Sequence, residues 1–205
     1  MKLSRGIFVI LVFGGLVACG SQPARDNFYS LMLVNEKVAQ TVPSDEATAQ
    51  LIVGPIRLAN YLSQPGLAIQ TESNQIQMAN RHFWAESLDE AIAKVLVRDI
   101  ANMTPTLLVD RDAGQWTSEG DCRIRVEFDK FHATSQSMVV VAGRYWLHQT
   151  GRSRPWKKAF DIQRSLTTDG YTHAVHQLRL ALDTLAMEMF DYTQLISACS
   201  PRRQD

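Results

Sequence analysis

From Cys122 onward the apolar residues fall on every second position. Ile124, Val126 and Phe128 lie on one side, and Arg123, Arg125, Glu127 and Asp129 on the other. A period of two with one apolar face belongs to a strand covered on one side only, as in an antiparallel sheet. Ser135-Gln136-Ser137 reads as the turn into a longer strand, Met138–His148, and a third strand runs from Trp156 to Ser165 with Phe160 and Ile162 pointing inward. These three segments predict an antiparallel meander with one face that must be covered.

Two helical patterns can cover it. Leu88, Ala91, Ile92, Val95, Leu96 and Ile100 recur at helical spacing and form one apolar face. Ser87-Leu88-Asp89-Glu90 opens this helix as a capping box, in which Ser87 accepts the Glu90 amide and Glu90 reaches back to Ser87. Thr104-Pro105 closes it. After Asp169-Gly170, a second helix carries Tyr171, Ala174, Val175, Leu178, Leu182, Leu185 and Met189 on one face. Shorter strands are predicted at Phe28–Val34, Leu51–Leu58, Ala68–Thr71, Gln75–Ala79 and Leu107–Val109. Gly54-Pro55 marks a bulge or an edge position in the second of these, and Ser73-Asn74 a turn. Asn35–Ala49 and Asp110–Gly120 read as loops. The expected fold is α+β, a largely antiparallel sheet with two amphipathic helices packed on it.

The first eighteen residues are set apart from that body. Lys2 and Arg5 precede Ile7–Val17, an uncharged run of eleven residues, and small Ala18 precedes Cys19. Positive, then apolar, then small is the order of a secretory signal peptide, and the apolar run is too short to span a bilayer. Residues 1–18 are therefore read as a signal peptide and residues 19–27 as a small, polar tether containing Pro23. Residues 28–192 form the folded domain, and 193–205, with Arg202 and Arg203, a flexible tail.

Cleavage removes Lys2 and Arg5, so 21 basic side chains become 19 against 21 acidic ones. That balance argues against a basic face for nucleic acid. Three cysteines are present; with Cys19 modified, Cys122 and Cys199 remain, either as a disulfide in an oxidising compartment or as two free thiols. No nucleophile elbow, zinc helix, P-loop or dinucleotide fingerprint occurs. His173 and His176 lie three apart on the last helix without a third ligand placed beside them, so no metal is expected. The reading is of a protein that is not an enzyme and has no cofactor. Tyr61-Leu62 and Phe83-Trp84 are candidate partner-binding residues, and core packing is the alternative for each.

Taken together, these segments resemble the PqiC/YmbA family, the ABC-type transport auxiliary lipoproteins. The resemblance is carried by Ala18-Cys19, Phe28-Tyr29-Ser30-Leu31, Val53-Gly54-Pro55-Ile56-Arg57-Leu58-Ala59-Asn60-Tyr61-Leu62, Trp84-Ala85-Glu86-Ser87-Leu88-Asp89-Glu90, Gly143-Arg144-Tyr145-Trp146 and Asp169-Gly170-Tyr171. It implies that Cys19 carries an S-diacylglycerol and an N-acyl chain, with outer-membrane delivery compatible with Gly20 in the next position. At about 0.8 kcal/mol per buried methylene, three acyl chains make a permanent anchor. It also implies a docking role in intermembrane lipid transport beside an MCE-type, PqiB-like periplasm-spanning protein, with assembly into a homo-oligomeric ring. The alternative is a stand-alone periplasmic lipoprotein that binds a lipid or small molecule in an apolar pocket.

Overall fold

The structure, a computed structural model, describes residues 25–32, 49–103, 107–112, 122–151 and 153–191. The signal peptide, Cys19, most of the tether, the Asn35–Ala49 loop up to residue 48, and the tail with Cys199 lie outside the described residues.

Among the described residues, eight strands form one sheet: β1 (Asn27–Tyr29), β2 (Ala49–Leu58), β3 (Gly66–Glu72), β4 (Gln75–Trp84), β5 (Leu107–Arg111), β6 (Cys122–Thr134), β7 (Met138–Gln149) and β8 (Trp156–Ser165). Helix α1 (Leu88–Met103) separates β4 from β5, α2 (Tyr171–Phe190) follows β8, and a 3-10 turn spans Asn60–Ser63. The expected meander is present, with β6–β7 and β7–β8 antiparallel, and so is the β3–β4 hairpin. The rest of the sheet is parallel: β1 with β4, β2 with β5 and β6, and β3 with β6. The sheet is therefore mixed. Alternation along a strand tells which face is buried and says nothing about the direction of its neighbour.

Strand β6 is the common partner. It pairs with β7 along its whole length on one side, and with β2 and then β3 on the other. Its even-numbered residues Ile124, Val126 and Phe128 are wholly buried and face both helices, as the alternation requires. Leu51, Val53, Val141, Tyr145 and Phe160 join them from neighbouring strands, with Ile92, Leu96 and Ile100 of α1 and Leu178, Leu182, Leu185 and Met189 of α2. At the bulge in β6 between Phe128 and Lys130 the two central backbones come very close. A Cβ on Gly143 of β7 would lie 2.0 Å from the Glu127 carbonyl oxygen.

Of the two readings of Gly54-Pro55, the bulge is correct. Strand β2 lies inside the sheet, between β5 and β6, and its register against β6 slips between Val53 and Ile56. The peptide bond is cis and Gly54 has φ +130°, a conformation open to glycine. Proline, lacking an N–H, is tolerated inside a sheet only at such an interruption.

At the start of α1 the Glu90 carboxylate, expected to reach back to Ser87, is engaged elsewhere. Ala91 N–H donates to Ser87 O at 3.0 Å, while the Glu90 carboxylate pairs with Arg111 of β5. The parallel β2–β5 pairing brings Arg111 beside the first turn of α1, and a guanidinium is a stronger partner for a carboxylate than a backbone amide.

The two helices also share buried charges that their apolar patterns do not reveal. Asp99 Oδ1 accepts from Arg179 Nη2 at 2.8 Å and from Arg98 Nη2 at 3.1 Å, and Arg179 Nη1 donates to Asp183 Oδ1 at 2.8 Å. Arg98, Asp99 and Arg179 are all buried. Burial raises the Asp99 pKa, and the Arg179 charge opposes that rise.

Candidate docking site

Strand β2 ends beside β6, with Leu58 opposite Phe128 and Ala59 N–H donating to Phe128 O at 2.9 Å. The chain then turns through residues 60–63, closed by Leu62 N–H to Ala59 O at 2.8 Å. Strand β4 returns to the same corner, where Trp84 N–H meets Pro65 O at 2.8 Å and Ala85 N–H meets Tyr29 O at 2.8 Å. Residues 56–65 and 84–89, far apart in sequence, thereby enclose an open groove of about 420 Å³. Ile56, Leu58, Trp84 and Leu88 supply its apolar surface; Gln64, Ser87, Glu86 and Asp89 supply polar groups at the entrance of α1. A second cleft of about 650 Å³ lies beside the β2 bulge, with Asp89, Glu90, Asp110 and Asp112 among its walls.

The four residues expected to bind a partner separate into three roles. Leu62 and Trp84 are 2% and 8% exposed and belong to the core, so they brace the groove and offer little surface of their own. Tyr61 is half-buried and locks the turn to β6: its hydroxyl lies 2.8 Å from His132 Nδ1 and 3.2 Å from Asp129 O. Gln70 Oε1, 3.2 Å from Nε2 of His132, can only accept, so Nε2 carries the ring proton and Nδ1 is the acceptor facing the Tyr61 hydroxyl. Burial lowers the His132 pKa to about 4, with Lys130 adding to the effect, and raises that of Tyr61 to about 12. The ring is therefore neutral at pH 7. Phe83 is half-buried, its ring centroid 5.8 Å from that of Phe28, which is 67% exposed.

His132 and Gln70 had no signal in the sequence, because a single polar residue inside a strand names no partner. His173 accepts the Thr167 N–H at 3.3 Å, and His176 lies exposed on α2. Among the described residues no group of three or more His, Cys, Asp or Glu side chains is placed to hold a metal. Cys122 is wholly buried at the head of β6 and is disulfide-bonded; Cys19 and Cys199 lie outside the described residues. No described helix is long and apolar enough to cross a membrane.

A mixed sheet covered on one face by two helices, with an open groove at one corner, defines an α+β domain. The chain belongs to the ABC-type transport auxiliary lipoprotein component family, whose sequence pattern matches residues 29–190. It is 26% identical over 163 residues to the intermembrane transport lipoprotein PqiC of Escherichia coli K12, covering 80% of this chain and 83% of that protein. PqiC of Shigella flexneri matches to the same extent. Two crystal structures share the fold. One, of an uncharacterized protein, has a TM-score of 0.68 and 23% identity, covering 81% of this chain and 97% of the other. The second, protein XCC0632 from Xanthomonas campestris, has a TM-score of 0.63 and 15% identity, covering 83% and 96%.

Proposed function

We propose that this protein is the lipid-anchored docking subunit of a PqiABC-like MCE system that moves lipids between membranes. Cys19 carries the acyl chains and holds the domain on the periplasmic face of the outer membrane. The groove between residues 56–65 and 84–89 receives a segment of the PqiB-like, periplasm-spanning partner, and several copies surround it as a ring. The observation that carries this reading is the likeness to PqiC along almost the whole folded domain. The form of the groove supports it. Its apolar floor rests on rigid core residues and its polar rim lies at a helix start, which suits a protruding peptide segment better than an enclosed lipid chain.

The test is copurification of the acylated protein from its own cells, followed by the same experiment with Gln64→Trp, a substitution at an exposed groove residue. Recovery of an MCE protein with the wild type, and its loss with an equally stable Gln64→Trp variant, is the expected result. Recovery of stoichiometric lipid and no MCE protein would favour the stand-alone binding lipoprotein.

A further inference from the structure

We propose that Phe28 and Phe83 make a second contact with the membrane, a pair of rings that enters the lipid interface beside the acyl anchor and orients the domain on it. The proposal rests on the reading of Cys19 as the lipidated residue.

Phe28 and Phe83 are register partners in the parallel β1–β4 pair, with ring centroids 5.8 Å apart. Their neighbours Tyr29 and His82 turn to the other face, where the Tyr29 hydroxyl meets His82 Nδ1 at 2.8 Å and His82 stacks on Tyr171 of α2 at 3.7 Å. Side chains alternate along a strand, so the two phenylalanines face away from the helices. Phe28 stays 67% exposed there, in a strand of three residues at the edge of the sheet. Among the described residues, Phe28 is an apolar surface left largely open.

The length of chain before it selects the occupant. Phe28 stands nine residue steps after Cys19, and Arg25, the first residue described, six. Fully extended, these span at most about 32 Å and 22 Å. The anchor therefore keeps the ring pair within a short distance of the bilayer at all times, and contact becomes an intramolecular event. The flanking charges agree. Arg81 pairs with Asp26 at 3.2 Å, and Arg25 is exposed beside them, which leaves an excess positive charge next to the rings for phosphate headgroups. Aromatic rings with adjacent cations are what the interface of a bilayer accepts.

The experiment uses the full acylated protein in phosphatidylethanolamine/phosphatidylglycerol vesicles, with and without bromine on the acyl chains. Phe28→Trp adds an emitter at the proposed depth, read as the difference from wild type; Met187→Trp, exposed on α2, is the control on the helical side. The expected result is a blue-shifted emission at position 28, quenched by roughly half in brominated vesicles, and no quenching at position 187. Membrane-bound, acylated protein whose position-28 emission is unquenched overturns the proposal, including the case where a second copy covers the ring. Mass spectrometry of the same sample reads acylation separately. A chain without acyl mass at Cys19 overturns the anchor and the second contact together; an acylated chain with a dry, unquenched position 28 overturns the second contact alone.

Discussion

His132 makes the stability of this domain depend on pH in a window that a single substitution can isolate. The ring is 2% exposed and sits between Tyr61 and Gln70, with both nitrogens engaged as a neutral imidazole. Its pKa is lowered from 6.5 to about 4 because burial penalises the charged form. In the unfolded chain the same ring takes up a proton as the pH falls through about 6.5. Between these values the unfolded state binds more protons, so stability rises with pH and is lost on acidification. A difference of about 2.5 pKa values corresponds to roughly 3 kcal/mol in full, of which about 2 kcal/mol is already lost near pH 5. Urea unfolding followed by circular dichroism, at steps from about pH 7.5 to pH 5, measures this loss. In His132→Gln the corresponding part of the slope disappears, while the contribution of His148, whose pKa burial also lowers, stays. A variant with the wild-type slope across that window would refute the reasoning, as would a wild type that gains stability on acidification.

Gly143→Ala places a carbon 2.0 Å from the Glu127 carbonyl oxygen and forces β6 and β7 apart, which costs about 3 kcal/mol or more. For a domain of this size that is a drop in Tm of about 6–12 °C, and a drop within error of zero would contradict the close approach of the two strands. Arg179→Met takes from buried Asp99 its 2.8 Å cation partner and costs about 3 kcal/mol, and adding Asp99→Leu, which takes the carboxylate from buried Arg98 as well, costs less than the sum of the two single losses. Strictly additive losses in urea unfolding would show that the two side chains do not act as a pair. Peptide mapping without reduction yields Cys122 joined to Cys199, and reduction lowers stability by about 2–4 kcal/mol; a labelled free thiol at residue 199 would rule out the bridge.

The elements whose stabilisation is local were legible in the sequence. The meander announced itself by the alternation from Cys122, and the two helices by their apolar stripes, because each pattern reflects burial of one face of one element. The β3–β4 turn at Ser73-Asn74 was readable for the same reason. What could not be read was assembled over distance. The parallel pairing of β2 with β6 depends on segments some seventy residues apart, as in the contact of Tyr61 with His132. Helical spacing marked the apolar face of α1 and passed over Arg98 and Asp99, since charged residues carry no sign of the partner that allows them inside. The candidate site shows both sides of this. Of Tyr61, Leu62, Phe83 and Trp84, Trp84 alone lines the groove, and it and Leu62 are core residues, as large apolar side chains usually are.

The position of β6 as neighbour to β2, β3 and β7 has a consequence for how the chain reaches its working compartment. Strands β2 and β3 are made early and have their shared neighbour only once the chain has been extended to residue 134 of 205. Until then the N-terminal half can form hairpins and helix turns but no closed sheet, and such late, non-local pairing is intrinsically slow. A chain exported from its N-terminus, as the signal-peptide reading proposes, would begin to cross the membrane before this sheet can be completed. Acylation of Cys19, as proposed, would then meet a chain whose sheet is not yet complete.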